Sequence, residues 1–132
     1  MPPDLMAYLR AAMARPFARP DDDCCFLAAD WVWRRTGIDP AADLRGRYQD
    51  ARGALRLIRR WGDFETMWRV HMALAGFNLT SEPQPGDVGV VRDRADQIVA
   101  AIRTPGAWAM KAARGVLIED VPMLCAWSLA RG

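Results

Sequence analysis

The chain has 132 residues, enough for one domain with one core. Its 52% apolar and 26% charged residues form an ordinary globular balance without a low-complexity tract. A net charge of +2 removes any bulk electrostatic attraction to a polyanion, and the odd count of three cysteines (Cys24, Cys25, Cys125), which allows at most one ordinary bridge, argues against a disulfide framework and favours a reducing compartment. Met1 to Asp4 lacks the basic region and apolar run of a signal peptide, and no uncharged stretch approaches the ~20 residues that span a bilayer. A soluble protein made in the cytoplasm is expected.

In chain order, Leu5, Met6, Leu9, Ala12 and Met13 recur at helical spacing with Asp4 as N-cap, and Pro16 and Pro20 end this helix near Arg15. Phe17 lies in the extended segment that follows. Asp21-Asp22-Asp23 opens a second helix, capped by Asp22 or Asp23, with Cys24 in its first turn. Phe26, Ala29 and Trp33 fall on one stripe of it, and Leu27, Asp30, Trp31 and Arg34 on another. Arg34-Arg35 complements the helix dipole and Gly37 stops the helix. Asp39-Pro40 predicts a short helix through Leu44. Asp50 caps a helix over 51–61 with Ala51, Ala54, Leu55, Ile58 and Trp61 inward, and Asp63 caps another to Gly76.

At Asn78 to Pro85 the composition changes. Five β-like runs follow: 87–92, 97–103, 107–114, 116–119 and 123–129, separated by polar turns. Helices first and strands second predict a single α+β domain over 1–132, its helical part about 4–76 and its sheet, an antiparallel meander, about 86–129. The last run, Val121 to Leu129, reads as a core strand or as an edge wanting a partner. With Trp108 and Trp127 close by, this end of the sheet is a candidate assembly surface.

Asp23-Cys24-Cys25-Phe26-Leu27-Ala28, then an apolar helix ending at Gly37, resembles the Asp-Cys-Ser-Gly-Leu-Val helix of the NlpC-type cell-wall cysteine peptidases, a papain-like family. Pro85-Gly86-Asp87-Val88 resembles that family's Gly-Asp-Val start of the first strand, and Gln97 to Ile102 matches its second strand. The resemblance spans roughly residues 16 to 120. Ala42-Asp43-Leu44-Arg45-Gly46-Arg47-Tyr48 is more specific, being similar to a segment of small domains encoded among phage and prophage tail genes. The resemblance implies a papain-like, NlpC-type α+β fold with Cys24 at the nucleophile position. It also implies a general base at the position occupied here by Gln97, an amide that takes no proton, and an orienting group near Met110, which is apolar.

A cysteine nucleophile needs a thiolate, usually made by a helix N-terminus and a neighbouring imidazolium. Asp21, Asp22 and Asp23 oppose it, and the only histidine, His71, lies in the helix from Phe64 to Ala75, outside the family's base position. The reading is therefore a degenerate peptidase fold serving as a structural component of a phage or phage-like tail, near its tip. Its partners would be other tail or assembly proteins, and its final location the particle. One alternative is an active peptidase or amidase cutting peptidoglycan stem peptides with Cys24. Another is an adaptor that binds an acidic protein, in preference to nucleic acid, through Arg45, Arg47, Arg52, Arg56, Arg59 and Arg60. No cofactor is expected, and no Cys-x-x-Cys or histidine pair supports a metal.

Overall fold

The computed structural model describes residues 2–18 and 23–130. Among these residues four helices, α1 (Pro3–Met13), α2 (Phe26–Thr36), α3 (Ala51–Arg60) and α4 (Phe64–Leu74), precede six strands: β1 (Asn78–Leu79), β2 (Val88–Arg92), β3 (Ile98–Thr104), β4 (Ala107–Ala112), β5 (Gly115–Glu119) and β6 (Met123–Ser128). The α+β class and the order of helices before strands follow the hydrophobic periodicity of the sequence. Among the described residues no helix is long and apolar enough to cross a membrane.

All strand pairs are antiparallel and the order across the sheet is β1-β6-β2-β3-β4-β5. A simple meander holds only from β2 to β5. β6 crosses back to pair with β2, and the short β1, which carries no strand signal in the sequence, pairs with β6 through Asn78 and Leu79. β6 is therefore interior, and its apolar run is explained by burial on both sides rather than by an open edge.

Period-two alternation sorts the strands onto two buried faces. Val88, Val90, Ala100, Ile102, Ala109, Cys125 and Trp127 join the core beneath the helices. Val91, Val99, Ala101, Trp108, Met110 and Ala126 form a second cluster on the opposite face. Gly89 pairs with Ala101 on one side and Ala126 on the other, so three small residues make a shallow row. The Trp108 ring lies on that row. A Cβ at Gly89 would stand 2.8 Å from the indole and 2.7 Å from the Cys125 carbonyl oxygen. The Arg103 guanidinium sits 5.2 Å from the Trp108 ring centroid. Trp108 and Trp127 are each 1% exposed, which removes them as an assembly surface.

α2 is the central strut. Phe26, Leu27, Ala28, Ala29, Trp31 and Val32 are all buried, each large side chain contributing roughly 1.5–3 kcal/mol. Trp31 also donates its indole N–H to the Gly86 carbonyl at 2.8 Å, fixing the helix to the start of β2. Trp33 points outward instead of along the buried stripe. α1 packs Leu5, Tyr8, Leu9 and Ala12 inward; Tyr8 takes the place expected of Met6 because its hydroxyl reaches the Leu27 carbonyl at 2.6 Å. Pro2, not Asp4, occupies the N-cap, and Asp4 falls in the first turn. Lys111 on β4 is buried and donates to the carbonyls of Ala12 at 3.1 Å and Arg15 at 2.6 Å, closing the end of α1.

Asp50 and Asp63 cap α3 and α4, accepting from the backbone N–H of Gly53 and Thr66, each at 2.7 Å. The Thr66 bonds hold Asp63 below the ordinary carboxylate range. α3 has no fully buried residue; Ala54, Leu57 and Ile58 rest on the core, and Leu55 is exposed. Residues 40–46 form successive turns rather than the predicted short helix: Asp39 accepts from the Ala41 N–H, but the chain then bends to follow α2.

Candidate functional site

The first turn of α2 is built around Asp23. Its Oδ1 accepts from the backbone N–H groups of Cys25 at 3.0 Å and Phe26 at 2.9 Å, satisfying two orphan donors of the helix. Its Oδ2 accepts a hydrogen bond from the Tyr48 hydroxyl. Of the two caps the sequence left open, Asp22 and Asp23, Asp23 caps the helix; Asp21 and Asp22 lie outside the described residues. Tyr48 is held in place by its own packing, its ring stacked on Phe26 at a 6.1 Å centroid distance. Burial and then the Asp23 carboxylate raise its pKa well above the phenolic range, so the hydroxyl stays a donor.

The turn segment 42–48 is a brace on α2. Leu44 and Tyr48 are buried. The Arg45 guanidinium bridges Asp39 at 2.7 Å and Asp30 at 2.7 Å, and lies 4.8 Å from the Phe26 ring and 4.9 Å from the Trp33 ring. Arg45 is therefore occupied internally, and departs from the arginine face with which it was grouped. Two carboxylates and two rings capture it because it projects along α2, whereas Arg52, Arg56, Arg59 and Arg60 project from α3 into solvent.

Cys24 and Cys25 follow Asp23 in this turn. Cys24 is partly buried and packs against the second sheet cluster. It lines a cleft of about 300 Å³ between the start of α2, the inner side of α3 and the start of β3. Gln97 lines the same cleft, so the structure brings together the two residues singled out as nucleophile and base positions. Ala54, Leu55, Ile58 and Phe64 make the cleft wall apolar. The Gln97 backbone is fixed by the β2–β3 turn, where Asp93 Oδ1 accepts from the N–H of Gln97 and of Ala95, each at 2.9 Å. Gln97 also borders a second, larger depression of about 620 Å³ that runs past Arg94 and Met110 to Glu119. Met110, at the position expected to orient a base, is buried in the cluster that Cys24 touches.

Cys25 is buried; it borders the same cleft and also a small space of about 10 Å³ shared with Met67, Trp68 and His71. Burial, then the charges of Asp23 and Cys24, push its thiol well above the ordinary value; Trp68 and Arg45 act in the opposite sense and are outweighed. His71 is buried, not at the surface, with its ring edge-on to Trp61 at 4.6 Å. Its Nδ1 faces the Met67 carbonyl oxygen at 2.7 Å and its Nε2 faces Asp43 Oδ2 at 3.0 Å. Both ring nitrogens are engaged by oxygen, so neither is turned to a cysteine sulfur. His71 does not line the cleft of Cys24. Sequence reasoning missed the Asp43–His71 bond because 28 residues separate the partners. Among the described residues no group of three or more His, Cys, Asp or Glu side chains is arranged to hold a metal ion.

Fold and site together define an α+β domain in which a cysteine at the start of a buried helix and a glutamine just before a strand line one largely apolar cleft. The chain belongs to the family described as Domain of unknown function (DUF6950), whose model matches residues 1–129. No curated protein and no solved structure matches it.

Proposed function

We propose that this protein is a structural component of a phage or phage-like tail, near the tip, built on a papain-like, NlpC-type fold that has lost its general base. The observation that carries the reading is the shared cleft: Cys24 opens on it, Gln97 occupies the position of the base, and the one imidazole of the chain is tied to Asp43 and the Met67 carbonyl elsewhere. General-base activation needs a group within hydrogen-bond reach of the nucleophile that is basic enough to take its proton, and a carboxamide is not. The tail assignment draws on the likeness of Ala42 to Tyr48 to tail-gene domains. The bracing role of Leu44, Arg45 and Tyr48 gives that segment a physical reason to be kept together. In this reading the cleft is retained as a binding surface for a neighbouring tail protein.

The test has two arms. Purified protein incubated with peptidoglycan stem peptides should release no fragments. Release that disappears in Cys24→Ala would overturn the loss of activity and favour the peptidase alternative. Assembled particles analysed by mass spectrometry should contain the protein in fixed stoichiometry with tail proteins, and its absence from them would overturn the tail assignment.

A further inference from the structure

On the side of α3 away from the Cys24 cleft, four guanidinium groups stand without a carboxylate partner. Arg52, Arg56, Arg59 and Arg60 make no ion pair among the described residues, whereas Arg45, Arg69, Arg92 and Arg94 all do. α3 buries no residue fully, so packing does not account for this concentration of charge. Arg56 and Arg60 are one helical turn apart on one face, a spacing at which like charges repel.

Two of the four are brought together with a third arginine from outside the helix. Arg56, Arg60 and Arg47 line one depression of about 180 Å³, completed by Gly53 and Leu57. Arg47 is steadied by its Nε–H, which donates to the Asp43 carbonyl at 3.2 Å, and its other guanidinium nitrogens have no carboxylate partner among the described residues. The neighbouring carboxylates are engaged: Asp50 caps Gly53, and Asp43 faces His71. The depression itself is lined by no acidic residue.

We propose that Arg47, Arg56 and Arg60 form a binding site for a phosphate monoester group. A dianionic tetrahedral phosphate offers three terminal oxygens to three planar donor forks, the match that arginine makes best. A phosphodiester has two free oxygens and a single charge. No aromatic residue lines the depression to stack a base, which disfavours single-stranded nucleic acid. The site is independent of how the Cys24 cleft is read.

Calorimetric titration at constant ionic strength tests it, with inorganic phosphate, phosphoserine and dimethyl phosphate as probes. Saturable binding of the first two is expected, with dimethyl phosphate weaker by about tenfold or more. Arg56→Ala with Arg60→Ala should weaken phosphoserine by about tenfold or more per guanidinium removed. Arg52→Ala with Arg59→Ala, which lie outside the depression, should leave it within a few-fold. All four residues are exposed, so the variants should fold, which circular dichroism checks directly. Equal losses in the two double variants, or heats reproduced by chloride alone, would overturn the proposal.

Discussion

The hydroxyl of Tyr48 donates to the carboxylate of Asp23, and the same carboxylate caps the helix that begins at Phe26. One side chain thus joins the turn segment 42–48 to the start of α2. Removing the phenol oxygen leaves a buried carboxylate short of a donor, for which the desolvation penalty is about 1–3 kcal/mol. Tyr48→Phe should be destabilised by that amount in urea denaturation. Asp23→Ala should lose the cap as well, a further ~1 kcal/mol. A Tyr48→Phe protein within about 0.5 kcal/mol of the parent would show the bond to be incidental.

Arg45 and Arg56 should behave oppositely although both are arginines in the same basic stretch. Arg45→Ala removes bonds to Asp30 and Asp39 and contacts with Phe26 and Trp33, and should cost about 1–3 kcal/mol. Arg56→Ala touches no internal partner and should change stability by less than about 0.5 kcal/mol. Paired denaturation curves decide it, and equal effects would contradict the brace.

Stability should fall in mild alkali. The folded Cys25 thiol is raised by burial and by the Asp23 and Cys24 charges, while an unfolded cysteine ionises near about pH 8.5. Above that value the unfolded chain has lost the proton and the folded protein keeps it. Stability therefore declines as pH rises towards the folded value, with a slope approaching ~1.4 kcal/mol per pH unit. Tyr48, also raised by burial and by Asp23, adds a second decline above about pH 10. The urea midpoint should drop steadily above about pH 8.5, and Cys25→Ala should reduce the first part of the slope. A flat profile in the parent protein between those two values would contradict the buried, protonated thiol.

Lys111 is the chain's single lysine, and its ammonium group holds the end of α1 to β4. Lys111→Met keeps the apolar stem and deletes the donor, leaving the Ala12 and Arg15 carbonyls without it. A loss of about 1–3 kcal/mol is expected. Amide hydrogen exchange should accelerate in the last turn of α1 while α2 stays protected. Uniform acceleration of both helices would show that the ammonium supports the whole core rather than this junction.

The sequence by itself determined the local structure: four main helices, five of the six strands, and aspartate caps at Asp50, at Asp63 and at either Asp22 or Asp23. These are set by periodicity, by side-chain oxygens two or three residues from the amides they cap, and by breakers such as Gly37 and Gly76, all interactions of short range. It also marked Cys24 and Gln97, 73 positions apart in the numbering, as belonging to one place, although only through a likeness to other proteins. The tertiary structure alone decided the rest. β6 crosses to the far side of β2 because its two-sided apolar run requires an interior place, which no local pattern specifies. Trp108 is buried because Gly89, Ala101 and Ala126 meet in one row from three separate strands. Arg45 turns inward and Arg56 outward because Asp30 and Asp39 happen to converge on one and not the other. His71 is tied to Asp43, and Cys25 borders a small space beside it, by packing between α4 and the turn at 40–46. Which side chain is buried, paired or left facing solvent depends on what arrives from elsewhere in the chain, and that is information a linear pattern does not carry.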